Sequence, residues 1–214
     1  MKKCALLLAM VLLAAATVFA QKSTEVRPLE SFNSVSVAGS FSKIVLKSGS
    51  KESVELLGDG GDLSKVITEV KGNNLQIHMK KGASSYNDGN KITLVVTYNS
   101  LKEVNSSGTT DIVVEGTLKA DKFEFNTSGS GDLTGSFDVG NLELNIAGSA
   151  DAKLSGKANE QHYAISGSGN VDAAELKGQT ADVAISGSGD VSLNVDGKVK
   201  SSVAGSGDVT NKRN

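Results

Sequence analysis

One pentapeptide recurs through the C-terminal half of the chain, and its spacing leaves few folds open. Ser128-Gly129-Ser130-Gly131-Asp132 returns as Ala147-Gly148-Ser149-Ala150-Asp151 and as Ser166-Gly167-Ser168-Gly169-Asn170. It returns again as Ser186-Gly187-Ser188-Gly189-Asp190 and Ala204-Gly205-Ser206-Gly207-Asp208, with a weaker copy at Ser107-Gly108-Thr109-Thr110-Asp111. Measured at the first glycine, the steps are 21, 19, 19, 20 and 18 residues. A near-constant period of this size marks a repeat architecture.

The flanks repeat with the pentapeptide. Two residues before the first glycine stand Thr127, Ile146, Ile165, Ile185 and Val203, and four before it stand Phe125, Leu144, Tyr163, Val183 and Ser201. Four after it stand Ile112, Leu133, Ala152, Val171, Val191 and Val209. Mostly apolar residues at alternate positions describe strands with one buried face. Each repeat therefore reads as strand, glycine-rich corner, strand, then a looser stretch such as Asp138-Val139-Gly140. One such unit cannot bury its own apolar face. Coiling it so that equivalent strands lie about 4.8 Å apart pairs every backbone group with the next coil.

The expected fold is all-β: a single-stranded right-handed parallel β-helix, or β-solenoid, with ~19-residue coils, its hand following from strand twist and crossover rules. Gly129, Gly131, Gly148, Gly167, Gly169, Gly187, Gly189, Gly205 and Gly207 are its structural corners, and the Asp or Asn beside them caps nearby amides as in an Asx-turn. A β-propeller needs blades of about 40 residues, and the Leu-x-x-Leu-x-Leu pattern of leucine-rich repeats is not present.

Residues 21–105 repeat less clearly, as less regular N-terminal coils ahead of the regular coils of 106–214. Strands are expected at Phe32–Val37, Phe41–Leu46, Ser53–Leu57, Asn74–His78 and Ile92–Tyr98, with irregular structure at Asp62–Ile67 preferred over a helical turn there. The polar stretch from Gly82 to Gly89 reads as a mobile surface loop. With no linker in view, 21–214 is taken as one domain whose N-terminal half caps the solenoid.

The first twenty residues read as an export signal. Lys2 and Lys3 precede an apolar run from Cys4 to Ala16, and Val18-Phe19-Ala20 offers a cleavage site before Gln21. The run is shorter than the ~20 residues a membrane span needs. The single cysteine, Cys4, leaves with the signal, so the mature chain has no disulfide or thiol chemistry. A net charge of −2, made slightly more acidic by loss of Lys2 and Lys3, argues against nucleic-acid or anionic-membrane partners. The protein is expected in the periplasm, on the outer surface or secreted.

Signals for chemistry are weak. The column Asp132, Asp151, Asp190 and Asp208, with Asp111 and Asn170, resembles a calcium ladder. Calcium-binding rolls, however, repeat every nine residues, and the plainer reading is that each Asp caps its own corner. Two histidines, His78 and His162, are the only neutral-pH bases, and Arg27 and Arg213 the only arginines, so a polysaccharide lyase or glycosidase is poorly equipped. His78 reads as solvent-facing and Tyr163 as core. No His/Cys/Asp cluster has zinc-like spacing, and the Gly-Ser-Gly corners lack the lysine of a phosphate loop. No cofactor is expected. There is no tryptophan and there are three tyrosines. Phe32, Phe41, Phe123, Phe125 and Phe137 read as core, and Tyr86 and Tyr98 as exposed contacts. Any ligand, whether a surface glycan or a protein, would meet broad polar faces rich in Ser, Thr, Asn and Lys. Homo-oligomers through uncovered end coils are a further possibility.

The Ser-Gly-Ser-Gly-Asp-Val repeats, the start Phe32-x-x-Val-x-Val-x-Gly39-Ser-Phe41 and the export signal together resemble the head GIN domain family of auto-transporter adhesin type, common in Bacteroidetes and of unknown function. The resemblance runs from about Glu30 to Val209. It implies a β-helix in the cell envelope or outside it, and it brings no catalytic residues. The chain ends in Asn211-Lys-Arg-Asn214 without a barrel-forming segment, so self-transport is not expected. The leading function is a non-enzymatic exported β-helix that presents a repetitive polar surface as an adhesin. The alternatives are a periplasmic scaffolding solenoid and, third, a polysaccharide-active enzyme.

Overall fold

The structure, a computed structural model, describes residues 22–83 and 89–212. Residues 1–20, expected as an export signal, Gln21, most of the Gly82–Gly89 stretch expected as a mobile loop, with Tyr86, and residues 213–214 lie outside the described residues.

The chain begins with an edge strand, β1 (Lys22–Pro28), followed by β2 (Ser34–Gly39) and β3 (Lys43–Ser48), which meet at a corner around Ser40. Then come β4 (Ser53–Asp59), a single 3-10 turn at Leu63–Lys65, β5 (Val66–Lys71), β6 (Asn74–Met79) and β7 (Ile92–Tyr98). Strands β2 and β3 are the first coil. Strand β6 stacks parallel on β2, and β7 stacks parallel on β3. Antiparallel partners then close the stack: β5 on β6, and β4 on β7 with β1 outside it. The expectation of irregular structure at Asp62–Ile67 is corrected. Asp62 caps the 3-10 turn by accepting the Ser64 N–H at 3.1 Å, and β5 starts at Val66. The alternation in Val66-Ile-Thr-Glu-Val is broken by polar neighbours, and its partner β6 supplies the pairing that its own pattern does not announce.

The regular coils follow: β8 (Glu103–Gly108), β9 (Ile112–Gly129), β10 (Leu133–Gly148), β11 (Ala152–Gly167), β12 (Val171–Gly178), β13 (Thr180–Gly187), β14 (Val191–Val195), β15 (Val199–Gly205) and β16 (Val209–Asn211). All pair in parallel with the coil before. Each coil has a limb leaving the corner, limb A, and a limb returning to the next corner, limb B. In β9, β10 and β11 one continuous strand runs through both. Limb A stacks as β3, β9, β10, β11, β12, β14 and β16. Limb B stacks as β6, β2, β8, β9, β10, β11, β13 and β15. The result is a β-solenoid with an antiparallel cap.

Glycine corners set the stacking distance. At Gly148 φ is +138, and a Cβ there would collide with the Gly129 carbonyl oxygen of the coil below. Gly129, Gly167, Gly187 and Gly205 stand in the same column with the same contact. The amide after each glycine then reaches the glycine carbonyl one coil back, as in Ser149 N–H to Gly129 O at 3.0 Å and Ser168 N–H to Gly148 O at 2.9 Å. The second glycine column, at Gly131, Gly169, Gly189 and Gly207, also approaches backbone closely, but without positive φ. Ala150 occupies that column with its methyl buried, so a Cβ is admitted there.

Most of the inequality in coil length has one source. Register shifts fall between Thr134 and Ser136, between Lys153 and Ser155, and between Asp172 and Lys177. All lie in the bend within limb A. Extra or missing residues bulge there, while corner and limb B keep perfect register.

Inward rows form one narrow core. Phe125, Leu144, Tyr163 and Val183 stack at one level, and Ile146, Ile165 and Ile185 at another, all buried. The five phenylalanines expected in the core are buried, with the Phe123 and Phe137 rings 5.4 Å apart. Tyr98, expected as an exposed contact, is buried at 3% exposure, because it ends an alternating strand whose inward row is Ile92, Leu94 and Val96. Gln161 sits fully buried among these side chains. Its amide donates to the Ala158 and Leu176 carbonyls, its oxygen accepts from the Tyr163 hydroxyl at 3.0 Å, and Gly178 leaves the space it needs. Burial raises the Tyr163 phenol above its ordinary value. In the last described coil Val203 is 41% exposed, with no strand paired beyond β15.

A candidate binding groove on limb B

Limb B alternates in and out, so its outward residues form columns along the solenoid axis. Counting back from the corner glycine, the column at three residues reads Gln76, Ser36, Asn105, Asn126, Asn145, Ala164, Ala184 and Ser202 in stacking order. The column at one residue reads His78, Ala38, Ser107, Ser128, Ala147, Ser166, Ser186 and Ala204. Every side chain in the two columns is short except Gln76 and His78 at one end. Together they floor an open groove of about 850 Å³ that crosses eight strands. Eight strands at about 4.8 Å give it a length of roughly 34 Å.

The floor changes character along its length. At the cap end three asparagines form a ladder: Asn145 Nδ2 donates to Asn126 Oδ1 at 2.8 Å, and Asn126 Nδ2 to Asn105 Oδ1 at 3.0 Å. Each also donates to the glutamate two residues before it, Asn126 to Glu124 and Asn105 to Glu103, both at 2.9 Å. Beyond Asn145 the ladder gives way to Ala164 and Ala184.

Two banks flank the floor. One is the column five residues before the glycine: Glu103, Glu124, Glu143, His162, Asp182 and Lys200. Lys122 reaches Glu143 at 2.8 Å and Glu124 at 3.4 Å. Bonding to Lys122 lowers the Glu143 carboxyl below its ordinary value, and the same contacts raise Lys122. The other bank is the corner hydroxyl column, which includes Ser130, Ser149, Ser168 and Ser188, all exposed.

The Asp/Asn column lies past this second bank. Asp151 Oδ1 accepts the Asn170 N–H at 2.8 Å, and Asp132 Oδ1 accepts the Asp151 N–H at 2.9 Å. Asp190 and Asp208 continue the series. Each side chain caps the next coil's backbone, not its own corner as the sequence reading has it, because stacking brings that amide within reach. Asn170 serves as well as aspartate, since one carbonyl oxygen is all the bond requires. Among the described residues no group of three or more His, Cys, Asp or Glu is placed to hold a metal ion.

His78 and His162 stand on different columns, five stacked strands apart on limb B. His78 lies 3.9 Å from Glu69 and is 38% exposed. The sequence signal for the groove was the column three residues before each glycine, hidden because it passes from asparagine to alanine to serine along the coils instead of keeping one residue type.

A solenoid of stacked glycine corners with an antiparallel cap defines a class of protein, and comparison gives it a family. A family model described as "Putative auto-transporter adhesin, head GIN domain" matches residues 31–214, and the chain belongs to that family. Among solved structures, one titled a putative adhesin from Bacteroides fragilis has a TM-score of 0.76 at 20% identity, covering 90% of this chain and 97% of that one. One titled a putative lipid binding protein from Parabacteroides distasonis has a TM-score of 0.68 at 17% identity, and a putative adhesin from Parabacteroides merdae 0.64 at 18%. Each covers 90% of this chain and is itself covered to 97%. No curated protein matches the chain.

Proposed function

We propose that the protein is a non-catalytic, exported binding protein of the bacterial envelope, an adhesin that engages its target along the limb B groove. One observation carries this reading: the groove floor is continuous over eight strands, and among the described residues its only titratable side chain is His78 at one end, the acids standing on the flanking bank. General acid–base catalysis needs a pair of positioned groups within reach of one bond. A long surface lined by amides, hydroxyls and methyls instead holds an extended partner through many weak contacts. The family description and the adhesin titles of its structural relatives support the reading. The charged start and apolar run of residues 1–20, read as an export signal, support export.

Two measurements test it. Protease shaving of intact native cells should release peptides from the mature chain, and beads coated with that chain should attach to host or matrix surfaces. Protection until the outer membrane is opened would overturn the adhesin reading and leave a periplasmic scaffold in its place.

A further inference from the structure

We infer that the limb B groove seats an extended, uncharged, β-linked glycan lying along the solenoid axis, an assignment that rests on the binding reading above. Shape comes first. The floor of short side chains lies in an open concavity of about 850 Å³, so a flat protein face meets it poorly, whereas a ribbon one sugar ring wide fits.

Polarity is the second ground. In its C-terminal half the floor pairs a stripe of methyls, Ala164 and Ala184, with the hydroxyls of Ser166 and Ser186 beside it, on strands whose backbone groups are committed to neighbouring coils. Hydrogen-bonding groups flank the methyl stripe: the hydroxyls of Ser166 and Ser186, then Ser168 and Ser188, on one side, and His162 and Asp182 on the other. A pyranose ribbon with equatorial hydroxyls divides in the same way, with C–H faces and polar edges. An extended peptide advances about 3.3 Å per residue and so falls out of step with rungs about 4.8 Å apart. An acyl chain would leave both banks unused.

Period and charge complete the case. The rungs repeat every ~4.8 Å, close to the advance of one sugar in an extended β-linked chain, so one rung can meet one sugar over several coils. On the first bank Glu103, Glu124, Glu143 and Asp182 outnumber Lys200 and the bridging Lys122, an acidic balance that disfavours uronate or sulfated chains and leaves a neutral one unpenalised. The amide ladder Asn105–Asn126–Asn145 is already bonded within itself, so the cap end is ordered before any sugar arrives.

The test is calorimetric titration of the full chain with cellohexaose and chitohexaose, set against oligogalacturonate and a fluorescent fatty acid. Neutral hexaoses should bind and oligogalacturonate should not. The double variant A164Q/A184Q raises the floor with exposed amides that extend the existing ladder. It should weaken hexaose binding at least tenfold with thermal melting unchanged, and S168A/S188A, which adds no bulk, should weaken it about threefold. Absence of hexaose binding, or binding untouched by both variants, overturns the glycan. If A164Q/A184Q abolishes bead attachment although no hexaose binds, the glycan assignment falls and the groove reading survives. If the fatty acid binds and A164Q/A184Q releases it, an acyl chain is the occupant and the glycan assignment is likewise overturned.

Discussion

The cap and the regular coils are built from the same strands on the same two limbs, yet they hold together differently. Among β8 to β16 every pairing is parallel and joins residues about one coil apart, and each corner repeats the same three contacts. In the cap, Gly39 and Gly108 are neighbours in the corner column although 69 residues separate them in sequence. The chain between them leaves the coil path and returns through antiparallel pairs. A repeat array is stable roughly as a sum of neighbouring interfaces, and its ends need a different solution from its middle. Here the N-terminal end closes with antiparallel edges, β1 and β5, of which β1 carries Pro28 and mostly exposed residues, features that discourage a further strand.

That contrast can be broken most sharply at glycine. Gly148→Ala places a methyl against the Gly129 carbonyl and strains a φ of +138, with coils above and below that cannot separate. A loss of about 4 kcal/mol or more is expected. Gly72→Ala, in the β5–β6 turn, meets open space at a φ of +62 and should cost only about 1–2 kcal/mol. Denaturant melts of the two variants measure the difference. Equal losses would mean that the corner column yields as readily as a surface turn.

Within the coils the exception is polar. Gln161→Leu removes the acceptor of the Tyr163 hydroxyl in a fully buried setting, and about 2 kcal/mol of stability should go with it. Adding Tyr163→Phe should restore most of that loss, since no buried donor then lacks a partner. Additive losses in the double-mutant cycle would show that the pair is not coupled.

At the junction, Thr110 takes the place that Gly131 holds one coil later. Its buried hydroxyl accepts the Phe41 N–H at 2.8 Å and donates to the Gly39 carbonyl at 3.2 Å, tying cap to coils. Thr110→Val strands both groups. We expect a loss of about 1–2 kcal/mol, with faster amide exchange in β2 and β3 and unchanged protection in β11 and β13. Uniformly faster exchange would mean that cap and coils open as one unit.

The regular coils were legible because each inward residue recurs at a fixed offset from a glycine: Leu144, Tyr163 and Val183 can be placed by counting. The cap resisted the same reading. Strand β1 is polar and mostly exposed, β5 lacks clean alternation, and their antiparallel partners are set by contacts that no local pattern encodes. Tyr98 was misplaced because an aromatic at a strand end reads equally well inward or outward. The Asp column was visible, but its bond to the next coil depends on stacking distance. The groove was the least legible feature, because its columns are defined by position and not by residue type. Asn145 and Ala164 share a floor only once the coils are superposed.

The smallest expected effect sharpens the view of the coil surface. Lys122 bridges Glu124 and Glu143 across one coil step, whereas the cap's Lys71 meets Glu69 within a single hairpin. The Glu143 carboxyl is held below its ordinary value chiefly by its bond to Lys122, so the folded state prefers it ionised. Its contribution is therefore present above the unfolded-state value near 4.5 and is lost as pH falls through the lower folded-state value. Glu143 is one-third exposed, so the contribution should stay below about 1 kcal/mol and shrink with salt. Melting temperatures of wild type and Lys122→Met between neutral and acidic pH should converge on acidification, in low salt more visibly than in high. A gap that persisted after Glu143 is protonated would assign the role of Lys122 to the packing of its aliphatic stem over Glu124 and Glu143.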